Sequence, residues 1–418
     1  MAINKDYDLE THMEYCLQKQ KPVPGTKRNN KLVRSQNIKR ILLLVKNLEP
    51  VSMETLVQES SLTYPTVLGI IKYLEKESHV ENIAYAPTTG GRQAVLYGIC
   101  GIVRYVLALH LNGDEVDITI TNIRDGKIFH ATEAMPAQAV GQDQTERTQS
   151  IAKRLVPLVE EVLRKTRLEL SSLVRICVTY PECTRVDPQQ LSDVLEASLQ
   201  VPVSTVSDRR VLNFLERRSY HISSLQQYIF ILFERELSLS MYRGPGETSE
   251  GLLPKTYFGH MTMDVAGASC TCGKQGCLQS YVSGEGLLQS YSEAAQLQGS
   301  TWNSALEHEP DLFHAVLAES YKGDKAARVA IDQAIHMMAV ALANVIKIEG
   351  ISTIVLSGVF TSTDVQYKRF LEMYVAEYLP EDYPSAPVII LGTSSPSDCS
   401  YAACLMMNAQ FFESLSFS

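Results

Sequence analysis

Between residues 34 and 99 the apolar positions recur first at helical and then at strand spacing. Ile38, Ile41, Leu42 and Val45 fall at i, i+3, i+4 and i+7, the stripe of an amphipathic helix with one face on a core. Asn47-Leu48-Glu49-Pro50 ends it. Ser52 suits the N-cap of a short second helix reaching Glu59, with Leu56 inward. Ser60-Ser61-Leu62 then breaks the chain, and Thr63 caps a third helix whose Pro65 sits in the first turn, where a missing N–H costs nothing. That helix points Val67, Ile70, Ile71 and Leu74 inward and leaves Tyr64, Thr66, Gly69, Lys72 and Tyr73 on other faces. Val80–Ala86 and Gln93–Ile99 read as strands around Pro87-Thr88-Thr89-Gly90-Gly91-Arg92, a hairpin with a glycine tip. A longer helix, two short helices across a brief turn and a hairpin outline a winged helix-turn-helix. The same outline also serves protein-interaction domains.

Beyond Tyr105 strands alternate with helices. Val106–Leu111 and Val116–Asn122 form a hairpin, Arg124-Asp125-Gly126-Lys127 turns the chain, and a third strand begins at Ile128. An amphipathic helix over Thr145–Lys165 precedes the apolar strand Leu173–Val178. Tyr228–Phe233 and Thr353–Leu356 are further strands, and Ala326–Ile348 is a long, mostly apolar helix. This alternation predicts an α/β fold. Residues 1–33 carry charge, Pro22, Pro24, Gly25 and Asn29-Asn30 without a period, as a loosely ordered arm does. The expected domains are therefore an arm (1–33), a winged helix-turn-helix (34–99) and an α/β domain (100–418).

A chain of 418 residues fits more than one domain. Its 45% hydrophobic and 20% charged residues are ordinary for a soluble globular protein. No run of about 18 apolar residues occurs and the first residues lack a signal-peptide core, so the expectation is a cytoplasmic protein with no membrane partner. A net charge of −9 excludes coating of nucleic acid along the whole chain. One local exception runs from Lys21 to Lys46: Lys27, Arg28, Lys31, Arg34, Lys39 and Arg40 lie between those ends with no acidic residue among them. Such a run serves either a solvated helix and arm or a nucleic-acid contact.

Metal chemistry concentrates in one stretch. Gly259-His260 is followed, nine residues on, by Cys270-Thr271-Cys272-Gly273-Lys274-Gln275-Gly276-Cys277-Leu278. Three thiols and an imidazole in a chain without a secretory signal suit a tetrahedral Zn2+ site better than disulfides. Gly273 and Gly276 allow the turn that would bring Cys272 and Cys277 to one ion. Four protein ligands leave zinc no open position, so its role is structural. The alternative is a chance cluster of free cysteines beside an unrelated histidine.

The same stretch resembles the signature of the ROK family (repressors, open reading frames and kinases), whose members share an actin-like, ribonuclease H-like two-lobed fold. The resemblance implies that His260, Cys270, Cys272 and Cys277 hold a structural zinc beside a sugar pocket. The T-G-G-R run ending at Arg92 is similar to the wing of ROK repressors, making Thr63, Tyr64, Thr66, Lys72, Arg92 and Gln93 the expected DNA contacts. Where ROK kinases carry D-x-G-G-T for ATP phosphates, this chain has His110-Leu111-Asn112-Gly113-Asp114. Where they carry G-T-G-x-G, it has Glu234-Arg235-Glu236-Leu237-Ser238. Carboxylates in place of glycine-cradled amides oppose phosphate binding. Asp208 matches the kinase base, but the flanking asparagines are Ser207 and Arg210, and two sugar-binding glutamates are Tyr257 and Gln279. Asp208, Tyr257, His260 and Gln279 are thus the expected ligand contacts, by hydrogen bonding.

Together these features predict a non-enzymatic ROK-type regulator, a repressor by expectation. It would bind a double-stranded DNA operator as a homodimer or dimer of dimers and sense a sugar or sugar phosphate. An active sugar kinase with an appended domain and a ligand-independent DNA-binding scaffold are the rival readings. His336 reads as a core or interface histidine, and Cys399 and Cys404 as buried thiols on a last helix.

Overall fold

The computed structural model describes residues 30–87, 93–100, 104–135, 143–181, 184, 186–218, 220–233, 236–243, 257–309, 311–362, 365–415 and 417. They form two compact units. The first comprises the described residues up to Tyr180, Thr184–Val206 and the chain from Cys399 onward; the second centres on Ser207–Asp398.

The first unit opens with three helices, α1 (Asn30–Leu48), α2 (Met53–Ser60) and α3 (Tyr64–Lys76). Residues 30–33 of the expected arm are helical; residues 1–29 lie outside the described part. The helical spacing reads through: Ile38, Ile41, Leu42, Val45, Leu56, Val67, Ile71 and Leu74 are all buried together. Ser52 caps α2 by accepting the Thr55 N–H at 3.1 Å, and Ser61 ends it at φ +54°. Thr63 stands at the α3 cap without bonding a backbone amide; its hydroxyl lies 2.8 Å from that of Thr66. Strands β2 (Val80–Tyr85) and β3 (Val95–Ile99) pair antiparallel, and a two-residue strand β1 (Val51–Ser52) adds to β3. Two residues are too few for alternation to announce them.

Next come β4 (Tyr105–Asn112), β5 (Glu115–Asn122), β6 (Lys127–Ala134), helix α4 (Gln144–Thr166), β7 (Leu173–Tyr180), helix α5 (Pro188–Leu199) and β8 (Val203–Ser207). The sheet order is β6-β5-β4-β7-β8, with β4 antiparallel to β5 and parallel to β7. Ile151, Leu155, Val159 and Val162 of α4 and Leu191 and Leu195 of α5 pack in one core with the sheet.

The C-terminal helix, Cys399–Ser414, packs on β4, β5 and β7. The Asn408 amide donates to Asn122 O at 3.0 Å and to Asp125 Oδ1 at 2.8 Å. Past its midpoint, Phe412 and the following Phe417 enter the helical core of α1 and α3. The Lys46 ammonium lies 4.4 Å from the Phe412 ring centroid. Glu49, just beyond α1, accepts the Ile99 N–H at 2.7 Å and the Arg124 Nε–H at 3.0 Å. One carboxylate thereby ties the end of α1 to β3 and to the β5–β6 turn. The helical head and the first sheet share side chains and part of one core.

The second unit holds α6 (Asp208–Glu216), β9 (Gln227–Phe233), β10 (Leu237–Arg243), α7 (Gly284–Leu297), α8 (Leu312–Tyr321), α9 (Lys325–Glu349), β11 (Thr353–Gly358), α10 (Val365–Glu377) and β12 (Val388–Leu391). Its sheet runs β10-β9-β11-β12, with β9, β11 and β12 parallel. Helix α9 is long and apolar enough to cross a membrane. Ala330, Ala334, Met338, Leu342 and Ile346 set it instead into the core of this unit, which accounts for its apolarity. His336 on α9 is half-buried, with Nδ1 3.0 Å from the Tyr378 hydroxyl and its ring on Tyr374.

Candidate functional site

A short turn, Phe258–His260, and the loop that follows bring four ligand atoms together. The atoms offered by His260, Cys270, Cys272 and Cys277 all lie within 4.8 Å of one another. His260 Nδ1 is 3.5 Å from Cys270 Sγ, and the Cys272 and Cys277 sulfurs are 3.6 Å apart. Tetrahedral zinc with Zn–S near 2.3 Å and Zn–N near 2.05 Å needs edges of about 3.8 and 3.5 Å, so the donor set fits such an ion. The backbone makes the fit possible. Gly276 has φ +67°, and a Cβ there would fall 1.5 Å from the Asp264 carbonyl oxygen. The Cys270 N–H donates to Lys274 O and the Gly273 N–H to Cys270 O, closing the knuckle. For Cys270 burial opposes ionisation, but hydrogen bonds from the Cys272 backbone and thiol, His260 and Ser280 outweigh it and bring the thiol down to about 6. Cys277 is pushed up to about 12 by burial and by the Cys272 and Cys270 sulfurs. A metal would have to displace that proton.

The remaining expected ligand contacts are spread over this unit. Tyr257 is exposed, its ring 6.4 Å from that of His260. Gln279 is buried, and its side-chain carbonyl accepts the Leu237 N–H of β10 at 3.0 Å. Asp208 opens α6 and is buried, its carboxylate accepting the Arg209 N–H at 2.5 Å. The buried Arg209 guanidinium donates to the carbonyl of Leu239, two residues along β10 from Leu237. At the other end of α6, the fully buried Glu216 accepts the N–H groups of Thr393 and Ser394, each at 2.7 Å, and the Ser394 hydroxyl at 2.5 Å. Glu216 was not legible as a structural anchor, since a lone glutamate after Leu215 carries no spacing signal.

In the first unit, His110 lies opposite Asp117 on β5 and Thr179 on β7, fully buried. Its Nδ1 is 2.9 Å from the Thr179 hydroxyl. Burial lowers it to about 4, against the upward pull of Asp117 and Thr179, so the imidazole is neutral at pH 7. The neutral form is the one the fold favours, so its stability contribution is complete above pH 6.5 and is lost progressively as pH falls towards 4. Between pH 7 and pH 5 this group should remove about 2 kcal/mol of stability. Urea unfolding of wild type and His110→Gln at both pH values checks it: the variant should lose less on acidification by that amount. Asp114 and Glu115, at the tip of the same hairpin, are exposed.

On the head, Thr63, Tyr64, Thr66, Gly69 and Lys72 of α3 are exposed, with the helix's apolar stripe turned away. Gln93 is exposed at the foot of the hairpin; Arg92 lies outside the described residues, as do Glu234 and Arg235.

A family model described as ROK family matches residues 170–404, more than half of the chain. The chain belongs to the ROK family. It is similar to the xylose repressor of Caldicellulosiruptor bescii, 20% identical over 344 residues that span 77% of this chain and 82% of that protein. The xylose repressor of Bacillus subtilis is 21% identical over 276 residues, 62% of this chain and 68% of its own. Among solved structures, a ROK family transcriptional regulator homologous to the E. coli MLC protein superposes with a TM-score of 0.71 at 17% identity, over 91% of this chain and 97% of that one. A ROK hexokinase from Thermus thermophilus gives a TM-score of 0.54 at 18% identity, over 72% of this chain and 97% of that one. These likenesses establish the ROK fold, mixed α/β, and the N-terminal helices are compatible with a winged helix-turn-helix.

At the β4–β5 hairpin, His110 is a buried neutral imidazole and Asp114 an exposed carboxylate. Gly358 closes β11 at φ +76°, where a Cβ would come 2.1 Å from the Phe233 carbonyl oxygen. That glycine allows the close approach of β11 to the end of β9.

Proposed function

We propose that this ROK protein is a DNA-binding transcriptional regulator, a repressor, whose kinase-like part has lost phosphoryl transfer and senses a sugar or sugar phosphate. The observation that carries the reading is the outward polar face of α3 on a winged head that shares core residues with the first sheet. Thr63, Tyr64, Thr66 and Lys72 on that face, with Arg92 and Gln93 of the wing, contact the operator: α3 enters the major groove and the wing reaches phosphate or minor groove. The head spans 34–99 and the effector domain 100–418. Two heads in a homodimer read a two-fold symmetric site. His260, Cys270, Cys272 and Cys277 hold a structural zinc, whose place is to fix the loop beside Tyr257 and Gln279. Asp208, Tyr257, His260 and Gln279 serve ligand recognition, and similarity to proteins named xylose repressor supports a sugar as effector. The ligand acts by favouring one of two head arrangements, which requires different affinity for each. The protein works in the cytoplasm.

Carboxylates at both phosphate positions argue against ATP turnover, because phosphoryl transfer depends on charge neutralisation at those oxygens. The test is selective binding of upstream intergenic DNA, with an ATPase assay over mixed sugars alongside. Sugar-dependent ATP consumption abolished by Asp208→Asn would replace the regulator with a kinase.

A further inference from the structure

Gly69 sits in the middle of α3, exposed, and a Cβ built there meets nothing within 4 Å. Glycine in a helix interior costs stability relative to alanine. Among the described residues no neighbour of Gly69 needs the room, so they offer no return for that cost. The open backbone leaves space for something outside to approach closely at that point.

The surroundings say what. Gly69 opens into a groove of about 410 Å³ between α1 and α3. Ile38 and Ile70 supply an apolar floor, while Arg34, Asn37 and Thr66 supply polar atoms around it, and no acidic residue lines it among the described residues. Arg34 is exposed, with its guanidinium carbon 5.8 Å from the Tyr73 ring centroid. Among the described residues it makes no ion pair. A cation and an amide above an apolar floor suit a phosphodiester with its deoxyribose, and the positive charge favours an anionic over a cationic occupant.

We propose that this groove seats a phosphodiester of the operator, with Gly69 admitting the backbone and Arg34 and Asn37 donating to its phosphate oxygens. This rests on the DNA-binding reading above and adds a second helix to the contact: α1 grips the strand while α3 reads the bases. Gly69 is a recognition residue through the absence of its side chain.

The variants separate fold from contact. Gly69→Ala should melt at the same temperature as wild type or higher, because it fits and firms the helix. Its affinity for a duplex of the upstream intergenic sequence should nonetheless fall by at least about tenfold, the scale of a lost specific contact. Arg34→Ala should weaken binding to that duplex and to a random duplex alike, and lower the slope of log affinity on log salt by about 0.9, one phosphate's worth. If wild type binds neither duplex, the DNA-binding reading fails and this proposal falls with it. If wild type binds selectively while Gly69→Ala and Arg34→Ala bind within twofold of it with an unchanged salt slope, the groove seats no phosphodiester and the regulator reading stands.

Discussion

Cys272→Ser is expected to leave less than one zinc per chain and to release the loop from Tyr257 to Leu278. Its two ends are held by the buried Phe258, Cys277 and Leu278, with Met261 and Met263 packed on the core, but the middle has little to hold it. From Thr262 to Gln275 no residue is buried, and Val265 is 86% exposed. Its internal bonds are a few backbone pairs, among them Met263 N–H to Gly276 O and Leu278 N–H to Met261 O. A stretch with no buried residue repays little of its ordering entropy from burial. A bound zinc ion would supply the rest, and would also take up the Cys277 thiolate, whose proton burial otherwise retains. The loss should be at least about 3 kcal/mol, a fraction of the roughly 10–16 kcal/mol that structural zinc supplies to isolated fingers. Metal analysis of purified protein, with thermal unfolding before and after chelation, measures it. Cys272→Ser with full metal content, or wild type that ignores a strong chelator, would remove zinc from the account.

Glu216→Ala should be nearly as damaging with no metal involved. Its carboxylate is the acceptor for two backbone N–H groups and a hydroxyl in the Thr393–Ser394 segment, and Ser357 reaches it from β11 at 3.4 Å. Alanine leaves the buried Ser394 and Ser357 donors without this acceptor, along with the N–H of the exposed Thr393. At about 1–3 kcal/mol for each unsatisfied group, a loss of about 3–5 kcal/mol follows. Glu216→Gln keeps one carbonyl oxygen and should lose clearly less. Urea unfolding of the three proteins decides the point; an alanine variant within about 1 kcal/mol of wild type would show that the segment finds other acceptors.

The parts legible in the sequence are those with a local period or a tight spacing. Ile38, Ile41, Leu42 and Val45 declared α1, Ser52 declared the start of α2, and the three cysteines with His260 declared the loop, because each signal lies within one or two turns of chain. What escaped depends on residues far apart. Phe412 and Phe417 complete the core of a helix some 370 positions earlier, as Phe412 against Lys46 illustrates. Glu49 reads as a helix end, and only the folded chain puts it against Ile99 and Arg124. His110 was read as a missing aspartate; its burial between Asp117 and Thr179 is set by strand register, which alternation alone does not give. The bond from the Leu237 N–H to the Gln279 side-chain carbonyl likewise joins residues far apart in the chain. Strands β1, β8, β10 and β12 and helices α5 to α8 and α10 were not read: the strands are mostly brief, and α5 was passed over although Leu191, Leu195 and Leu199 give it a stripe.

The central claim is that this ROK chain reads DNA through its head. Its most direct test is the affinity of the purified protein for its own upstream intergenic duplex, against a random duplex, across a salt titration. The expected result is selective binding whose log affinity falls linearly with log salt, with Lys72→Ala flattening the slope by about 0.9 for the phosphate contact it removes. Binding that does not distinguish the two duplexes, with no effect of Lys72→Ala, would contradict it.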